Sequence, residues 1–510
     1  MKDISINNEI ILTDLLELFG ITHLVFTAGA ENSLLKAEIT KVPRYNTFHA
    51  VDERNAAYFA LGLSLELHAP VAVVCSTNAS ATNYLPAIAE AYYQHLPVLF
   101  VAENRIGTEN VDPLIAPNFK NLTKKAMHIP QITDSVQERK NEVSINMLLQ
   151  SLTLFGEGPV FISYTAGEDV GCSKNAHHIK CLTEYSGEEV WKNKVKELER
   201  AERIAIVVDT DICASMEKAL EFSEKFDALI VCDRIPLMNC SNACPLSSLI
   251  GNHEKFPDYL ITLSEGNGEH IEQLQNICHN QSFKHWHISP AGNYYDKFNE
   301  LDTVFVASPA EYFDFFIQNI ENPKDSKYRL SMAEKNATQD NQFIEKEEIH
   351  IFQTLAQTIK SGIIQNSYNC KENWMEHLQW NDNVSTYDTT WTKENVGCIS
   401  TFLGLTYHAA DSCYLIIDDI SFYNDMNALM LRGIRNNIHI IMINKKSIEN
   451  AAYTELGETS TNKSNGLREW AISTGFEYDV AFTEEEAENR ISKLPLLKHP
   501  LPTILEICLK

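Results

Sequence analysis

Residues 49–105 read HAVDERNAAYFALGLSLELHAPVAVVCSTNASATNYLPAIAEAYYQHLPVLFVAENR (His49 to Arg105), and this stretch decides the fold. Glu53 to Leu67 is rich in helix formers and apolar on nearly every side, which predicts a helix buried inside a domain or at a subunit interface. Two short apolar runs follow, Val71 to Cys75 and Pro97 to Ala102, with helical sequence between them. Strand, helix and strand at that spacing are the pattern of a parallel βαβ unit.

The same alternation extends in both directions. His23 to Thr27 and Val160 to Ser163 add strands to the first block. A second block begins after the polar stretch near Gly187, with strands at Ile204 to Val208, Ala228 to Cys232 and Tyr259 to Leu263. Asn322 to Glu348 is almost wholly polar and reads as a linker. A third block carries strands at Cys413 to Ile417, Ile438 to Ile443 and Thr503 to Ile507 and is a candidate counterpart of the first. The expected fold is α/β with three doubly wound parallel-sheet domains, over residues 1–186, 187–330 and 331–510.

Composition narrows the function. With 69 acidic and 42 basic residues the net charge is −27, which disfavours nucleic acid and anionic membrane surfaces as partners. An anionic ligand therefore needs locally gathered donors. No apolar run approaches the ~18 residues of a membrane span, and the start MKDISINNEI lacks the basic-then-apolar order of a leader, so the expected location is cytoplasmic. The 12 cysteines lack framework spacing, and Cys240 and Cys244 form a C-x3-C without a second Cys/His pair for zinc.

Three segments together resemble one family. His49 to Arg105 is similar to the pyrimidine-binding domain of thiamine-diphosphate (ThDP) enzymes, and within them most resembles the MenD family, synthases of 2-succinyl-5-enolpyruvyl-6-hydroxy-3-cyclohexene-1-carboxylate. HWHISPAGNYYDKF (His285 to Phe298) looks like that family's D-P-A-G segment, and Tyr414 to Ser447 resembles its G-D-L-S-F-x-H-D-L-N cofactor motif. The resemblance implies a pyrimidine-binding, a middle and a diphosphate-binding domain, and a site shared between two subunits of a homodimer or homotetramer. It implies that Glu53 hydrogen-bonds the aminopyrimidine ring and promotes deprotonation of the thiazolium carbon. That carbon attacks a 2-oxoacid, CO2 leaves, and the acyl unit passes to a second substrate. Asp419, Ser421, Asn444, Lys445 and Asn395 fall on cofactor positions, and Asn32, Asn104, Arg105, Ser367 and Lys371 on positions that would meet a small anionic substrate.

The departures from the family pattern are local. Of the two Mg2+ ligands only Asp419 is kept, and Lys445 replaces the asparagine that follows Asn444; an ammonium cannot ligate a cation, so no metal ligation is expected of it. Asp418 replaces a glycine and Ser447 another, and Lys445 is expected to pair with Asp418 and Asp419. Asn395 stands where the family has an apolar support for the cofactor. Glu31 reverses the charge of the arginine in S-P-G-S-R-S, Arg105 is displaced by one position, and Lys371 replaces an arginine, so the MenD reaction itself is not expected. Two readings stay open. One is a divergent ThDP-dependent 2-oxoacid decarboxylase that forms a C–C bond by acyl transfer. The other is the same fold without ThDP and Mg2+ chemistry, as a pseudoenzyme, a partner subunit or a repurposed cleft.

Overall fold

The computed structural model describes residues 5–30, 33–105, 119, 122–153, 158–166, 170–171, 188–208, 216–231, 243–244, 256–263, 283–289, 298, 300–324, 327–329, 346–367, 369–370, 378, 380–381, 383–388, 395–444, 467–495 and 499–508. The strands of its first block are β1 (Ser5–Ile6), β2 (His23–Thr27), β3 (Asn46–Ala50), β4 (Val71–Cys75), β5 (Val98–Arg105), β6 (Lys125–Ile129), β7 (Val160–Ala166) and β8 (Val170–Gly171). The middle block has β9 (Ile204–Val207), β10 (Ala228–Val231), β11 (Ala243–Cys244), β12 (Tyr259–Thr262), β13 (Lys284–Ile288) and β14 (Leu301–Phe305). The last has β15 (Gly362–Asn366), β16 (Val384–Asp388), β17 (Cys413–Asp418), β18 (Ile438–Asn444), β19 (Glu477–Ala481) and β20 (Thr503–Cys508).

Three six-stranded sheets result, ordered β3-β2-β4-β5-β7-β6, β11-β10-β9-β12-β13-β14 and β16-β15-β17-β18-β20-β19. Every pairing within them is parallel, for example Val73 opposite Phe100 and Leu415 opposite Ile440. β1 and β8 form a separate antiparallel pair. Counted in chain order, the first and third sheets share the order 2-1-3-4-6-5, so they are the same α/β unit used twice, while the middle sheet has the order 3-2-1-4-5-6. In each sheet the winding direction reverses beside its first strand. Such switch points open a crevice at the C-terminal strand ends, where ligands of open α/β sheets bind.

The chain forms two compact units, one of Met1–Leu154, Gly158–Lys180 and Ile344–Lys510, the other of Phe155–Glu157 and Cys181–Phe343. In the first unit one hydrophobic core holds Val25, Val73 and Phe100 of the first sheet together with Phe402, Leu415 and Met442 of the third block. The helix Glu53–Leu67 is buried as its sequence requires, and its cover comes from the same chain: it lies against the helix Cys398–Leu405. A Cβ at Gly62 would sit 2.0 Å from the Thr401 carbonyl oxygen, and one at Gly404 2.2 Å from that of Phe59. The two backbones touch, which only glycine at both crossing positions permits.

In the second unit, the polar stretch expected to begin a linker at Asn322 is fixed at its start. The Asp227 carboxylate accepts the backbone N–H groups of Lys327, Tyr328 and Arg329 at 2.7–3.1 Å. The Lys324 ammonium donates to the carbonyls of Leu198 and Ala201, and burial pushes it down to about 8.

Candidate active site

The first switch point lies between β2 and β4 and gathers Gly29, Ser76 and Glu53. Glu53 opens its helix, and Asp52 caps that helix by accepting the Asn55 N–H at 2.9 Å. The residues around Glu53 are all fastened to the third block. Asn427 donates to Asp52, Arg54 Nη2 donates to the Asn424 carbonyl at 2.6 Å, and Asn55 Nδ2 donates to Asp425 and Ser400 at 2.7 and 2.9 Å. The half-buried Glu53 carboxylate takes no hydrogen bond or ion pair from any described residue. A Cβ added at Gly29 would lie 2.9 Å from Ser76 Oγ and 3.8 Å from Glu53 Oε1. The Gly29 backbone therefore comes closer to Ser76, beside the Glu53 carboxylate, than a residue with a side chain could. Behind it, burial pushes the Cys75 thiol up to about 12 and the Tyr84 hydroxyl up as well, so both stay protonated and neither supplies a nucleophile.

The corresponding switch point of the third sheet lies between β15 and β17. Asp418 ends β17 and caps the short helix Asp419–Asp425 by accepting the Ser421 N–H at 3.0 Å. Its other oxygen accepts two hydroxyls, from Ser367 at 2.7 Å and from Ser421 at 2.6 Å. Asp418, Asp419, Ser367 and Ser421 are all buried. The expected pairing of Lys445 with Asp418 and Asp419 falls on a lysine outside the described residues; hydroxyl and amide donors satisfy the Asp418 carboxylate, and no described lysine, arginine or histidine pairs with it. Asn395, in place of an apolar support, presents Oδ1 to Ser421 Oγ at 3.2 Å and to Asn369 Nδ2 at 3.1 Å. Asn444 ends β18 and donates from Nδ2 to Glu506 Oε1 at 2.6 Å, across to β20. Ser367, Asn395 and Ser421, drawn from three separate stretches of sequence, thus meet around Asp418.

Asn104 is half-buried on β5, with Nδ2 3.5 Å from the Tyr164 carbonyl. Arg105 ends the same strand. The Arg105 side chain and residues Asn32, Lys371, Lys445 and Ser447 lie outside the described residues, as do Cys240 and the Cys244 side chain. Among the described residues no group of three or more His, Cys, Asp or Glu is arranged to share a metal ion, and no helix is long and apolar enough to cross a membrane.

Two features escaped the sequence reading. Glu103, buried on β5, accepts the backbone N–H groups of Leu34 and Leu35 at 3.0 and 3.2 Å and the Tyr164 hydroxyl at 2.7 Å. It anchors the helix Leu34–Ile39, which follows the segment carrying Gly29. The second is Asp425, fully buried, which accepts from the Ser400 N–H at 2.7 Å, the Ser400 hydroxyl at 2.9 Å and Asn55. Burial pushes its carboxyl up to about 6, against the pull of the Ser400 donors and the Arg54 charge and with some help from Asp52. Its sequence signal was its place in the N-D-M-N run, on the second aspartate of the G-D-L-S-F-x-H-D-L-N motif.

Residues 8–127 match the family model of the thiamine pyrophosphate enzyme N-terminal TPP-binding domain. The chain is 26% identical over 514 residues to the 2-succinyl-5-enolpyruvyl-6-hydroxy-3-cyclohexene-1-carboxylate synthase of Phocaeicola vulgatus, covering 94% of this chain and 91% of the relative. It is 24% identical over 516 residues to the synthase of the same name from Bacteroides thetaiotaomicron, with the same coverage, 94% and 91%. In fold it is similar to benzoylformate decarboxylase from Polynucleobacter necessarius, with a TM-score of 0.74, 12% identity and coverage of 99% and 98%. The ThDP-dependent 4-hydroxybenzoylformate decarboxylase of Rhodococcus jostii gives a TM-score of 0.72 at 14% identity, with 98% of both chains covered. Residues 8–127 thus carry the match to the thiamine pyrophosphate enzyme N-terminal domain, and the chain is similar over nearly its whole length to MenD synthases.

Proposed function

We propose that the protein is a ThDP-dependent enzyme that decarboxylates a 2-oxoacid and transfers the acyl unit to an acceptor with formation of a C–C bond, in a reaction other than that of the MenD synthases. The observation that carries this reading is the Glu53 carboxylate at a switch point, which takes no hydrogen bond or ion pair from any described residue and lies beside the side-chain-free Gly29. That arrangement fits an aminopyrimidine ring, whose nitrogen Glu53 would hydrogen-bond and serve with a proton. ThDP, when bound, supplies the electron sink for breaking the bond between the oxo carbon and the carboxylate. Ser367, Ser421 and Asp419 lie on the side where the diphosphate would be held. Asn104, Arg105 and Lys371 are proposed to meet the anionic substrate, and the altered 27–32 segment supports a substrate different from that of the synthases.

The test is hydrogen–deuterium exchange at the thiazolium carbon of ThDP bound to the native protein and to Glu53→Gln. The variant keeps the shape of the side chain and loses its acid function, so exchange should become much slower; equal rates would remove Glu53 from this role. We further propose a homodimer or homotetramer in the cytoplasm, for which light scattering at micromolar concentration is the check. The buried Glu53 helix does not argue for that assembly, because its cover is intramolecular.

A second reading, a superfamily fold without ThDP chemistry, is favoured by one observation: the donors at the third-sheet switch point are already engaged by Asp418. Native mass spectrometry with ThDP and Mg2+ separates the two readings, since stoichiometric cofactor supports the first.

A further inference from the structure

We propose that Asp418 is an internal competitor for the diphosphate group and sets how strongly this chain holds a diphosphate-bearing cofactor. The inference rests on the reading above for which side of the site meets the diphosphate. Three donors converge at the third-sheet switch point: the Ser367 hydroxyl, the Ser421 hydroxyl and the Ser421 N–H. In an open α/β sheet this crevice is where an anionic group is expected. Here a carboxylate from the chain itself occupies all three. A serine hydroxyl has one proton, and at 2.6 Å the Ser421 proton goes to the charged Asp418 oxygen rather than to Asn395 Oδ1 at 3.2 Å.

An incoming diphosphate would meet two obstacles. It would have to take donors already in charge-assisted hydrogen bonds, and it would bring its own negative charge beside a buried carboxylate. No described cation offsets that carboxylate, and Asp419 follows it directly. The backbone does not require an aspartate at this position. At φ −79° and ψ 163° residue 418 is extended, a conformation open to any residue. Its capping role is also replaceable, because asparagine caps as well as aspartate and glycine nearly as well. What is peculiar to aspartate is the charge delivered onto the two serines.

The experiment is calorimetric titration of the full-length native protein, Asp418→Asn and Asp418→Gly with three probes: ThDP, inorganic diphosphate, and thiamine, which lacks the diphosphate. Thermal unfolding of each variant verifies that it is folded; Asp418→Asn, which keeps the cap, guards against loss of structure in the glycine variant. Both variants should bind ThDP and inorganic diphosphate at least about tenfold more tightly than the native protein, with thiamine affinity unchanged. Unchanged or weaker diphosphate affinity in the folded variants overturns the proposal. So does an equal gain for thiamine, or no binding of either diphosphate probe to any of the three proteins. Because inorganic diphosphate reports on this side of the site alone, a gain there together with unaltered exchange in Glu53→Gln would leave the competitor role standing and sink the proposed reaction.

Discussion

Asn55 and Asp425 stand 370 positions apart in the chain and 2.7 Å apart in space, and their hydrogen bond ties the helix that begins at Glu53 to the third block. Ser400 closes the triangle, accepting from Asn55 and donating twice to Asp425. All three residues are buried, so none of these bonds can be exchanged for water without opening the contact. Asn55→Ala removes one donor from a buried carboxylate and should destabilise the protein by about 1–3 kcal/mol. Urea unfolding measures this, and an unchanged midpoint would show that the contact contributes nothing. The variant should also weaken the hold on Glu53, read as faster proteolysis near the Glu53 turn.

Asp425 makes this contact sensitive to pH. Its folded-state value of about 6 lies above the ordinary carboxyl value of 3.8, so between those limits the native chain keeps a proton that the unfolded chain has released. The stabilisation associated with that proton is fully present below about pH 4 and is lost as pH rises through about 6. Unfolding free energies measured from pH 4 to 7.5 should therefore carry a downward contribution in the native protein that is absent in Asp425→Asn. Parallel profiles for the two proteins would mean that Asp425 is not the titrating group.

The crossing of the Glu53–Leu67 and Cys398–Leu405 helices sets two effects against each other at Gly62. Replacing a mid-helix glycine by alanine gains about 1 kcal/mol of helix propensity. The new Cβ, however, would lie 2.0 Å from the Thr401 oxygen and 2.6 Å from the Leu405 nitrogen, both backbone atoms that move only if a helix moves. Overpacking of this kind costs about 1–3 kcal/mol and more where the backbone itself is the obstacle, so the clash wins. Gly62→Ala should lower the melting temperature, whereas a rise would show that the helices separate freely.

Which strands were readable in the sequence follows from their place in the sheets. β2, β4, β12, β17, β18 and β20 are covered on both faces and read as apolar runs. Among the strands that went unread, β3, β6, β11, β14, β16 and β19 lie at sheet edges and include polar or exposed residues such as His49, His128 and Asp302, while β1 and β8 are two-residue strands paired with each other. β15, interior but only five residues long and ending in the buried polar pair Gln365 and Asn366, was hidden because it has only two apolar side chains, Ile363 and Ile364. The same limit applies to the candidate site. Asp418 was recognisable as a charge where the family has glycine, but its engagement by Ser367, 51 positions earlier, depends on β15 and β17 being neighbours. Likewise Asn55 and Asp425 meet only because two blocks share one core, which no local pattern encodes.

The metal requirement provides the last prediction. Relatives of this kind bridge protein and diphosphate with a divalent ion held by two oxygen-bearing side chains, and here Lys445 takes the place of one of them. Asp419 keeps a carboxylate at the start of its helix, while the Asn444 amide nitrogen is committed to Glu506. If it faces the diphosphate as the resemblance implies, a lysine there would meet a phosphate oxygen with a fixed positive charge, substituting for part of the ion's electrostatic role and repelling the ion itself. Binding of ThDP to the native protein should therefore differ by less than about threefold between Mg2+ and EDTA. Lys445→Asn should make binding more dependent on Mg2+, because it removes the built-in charge and restores an oxygen ligand. Calorimetric titrations under the two conditions decide the matter: strong ThDP binding by the native protein only when Mg2+ is present would show that the ion is held despite the lysine, and that Lys445 points away from the diphosphate.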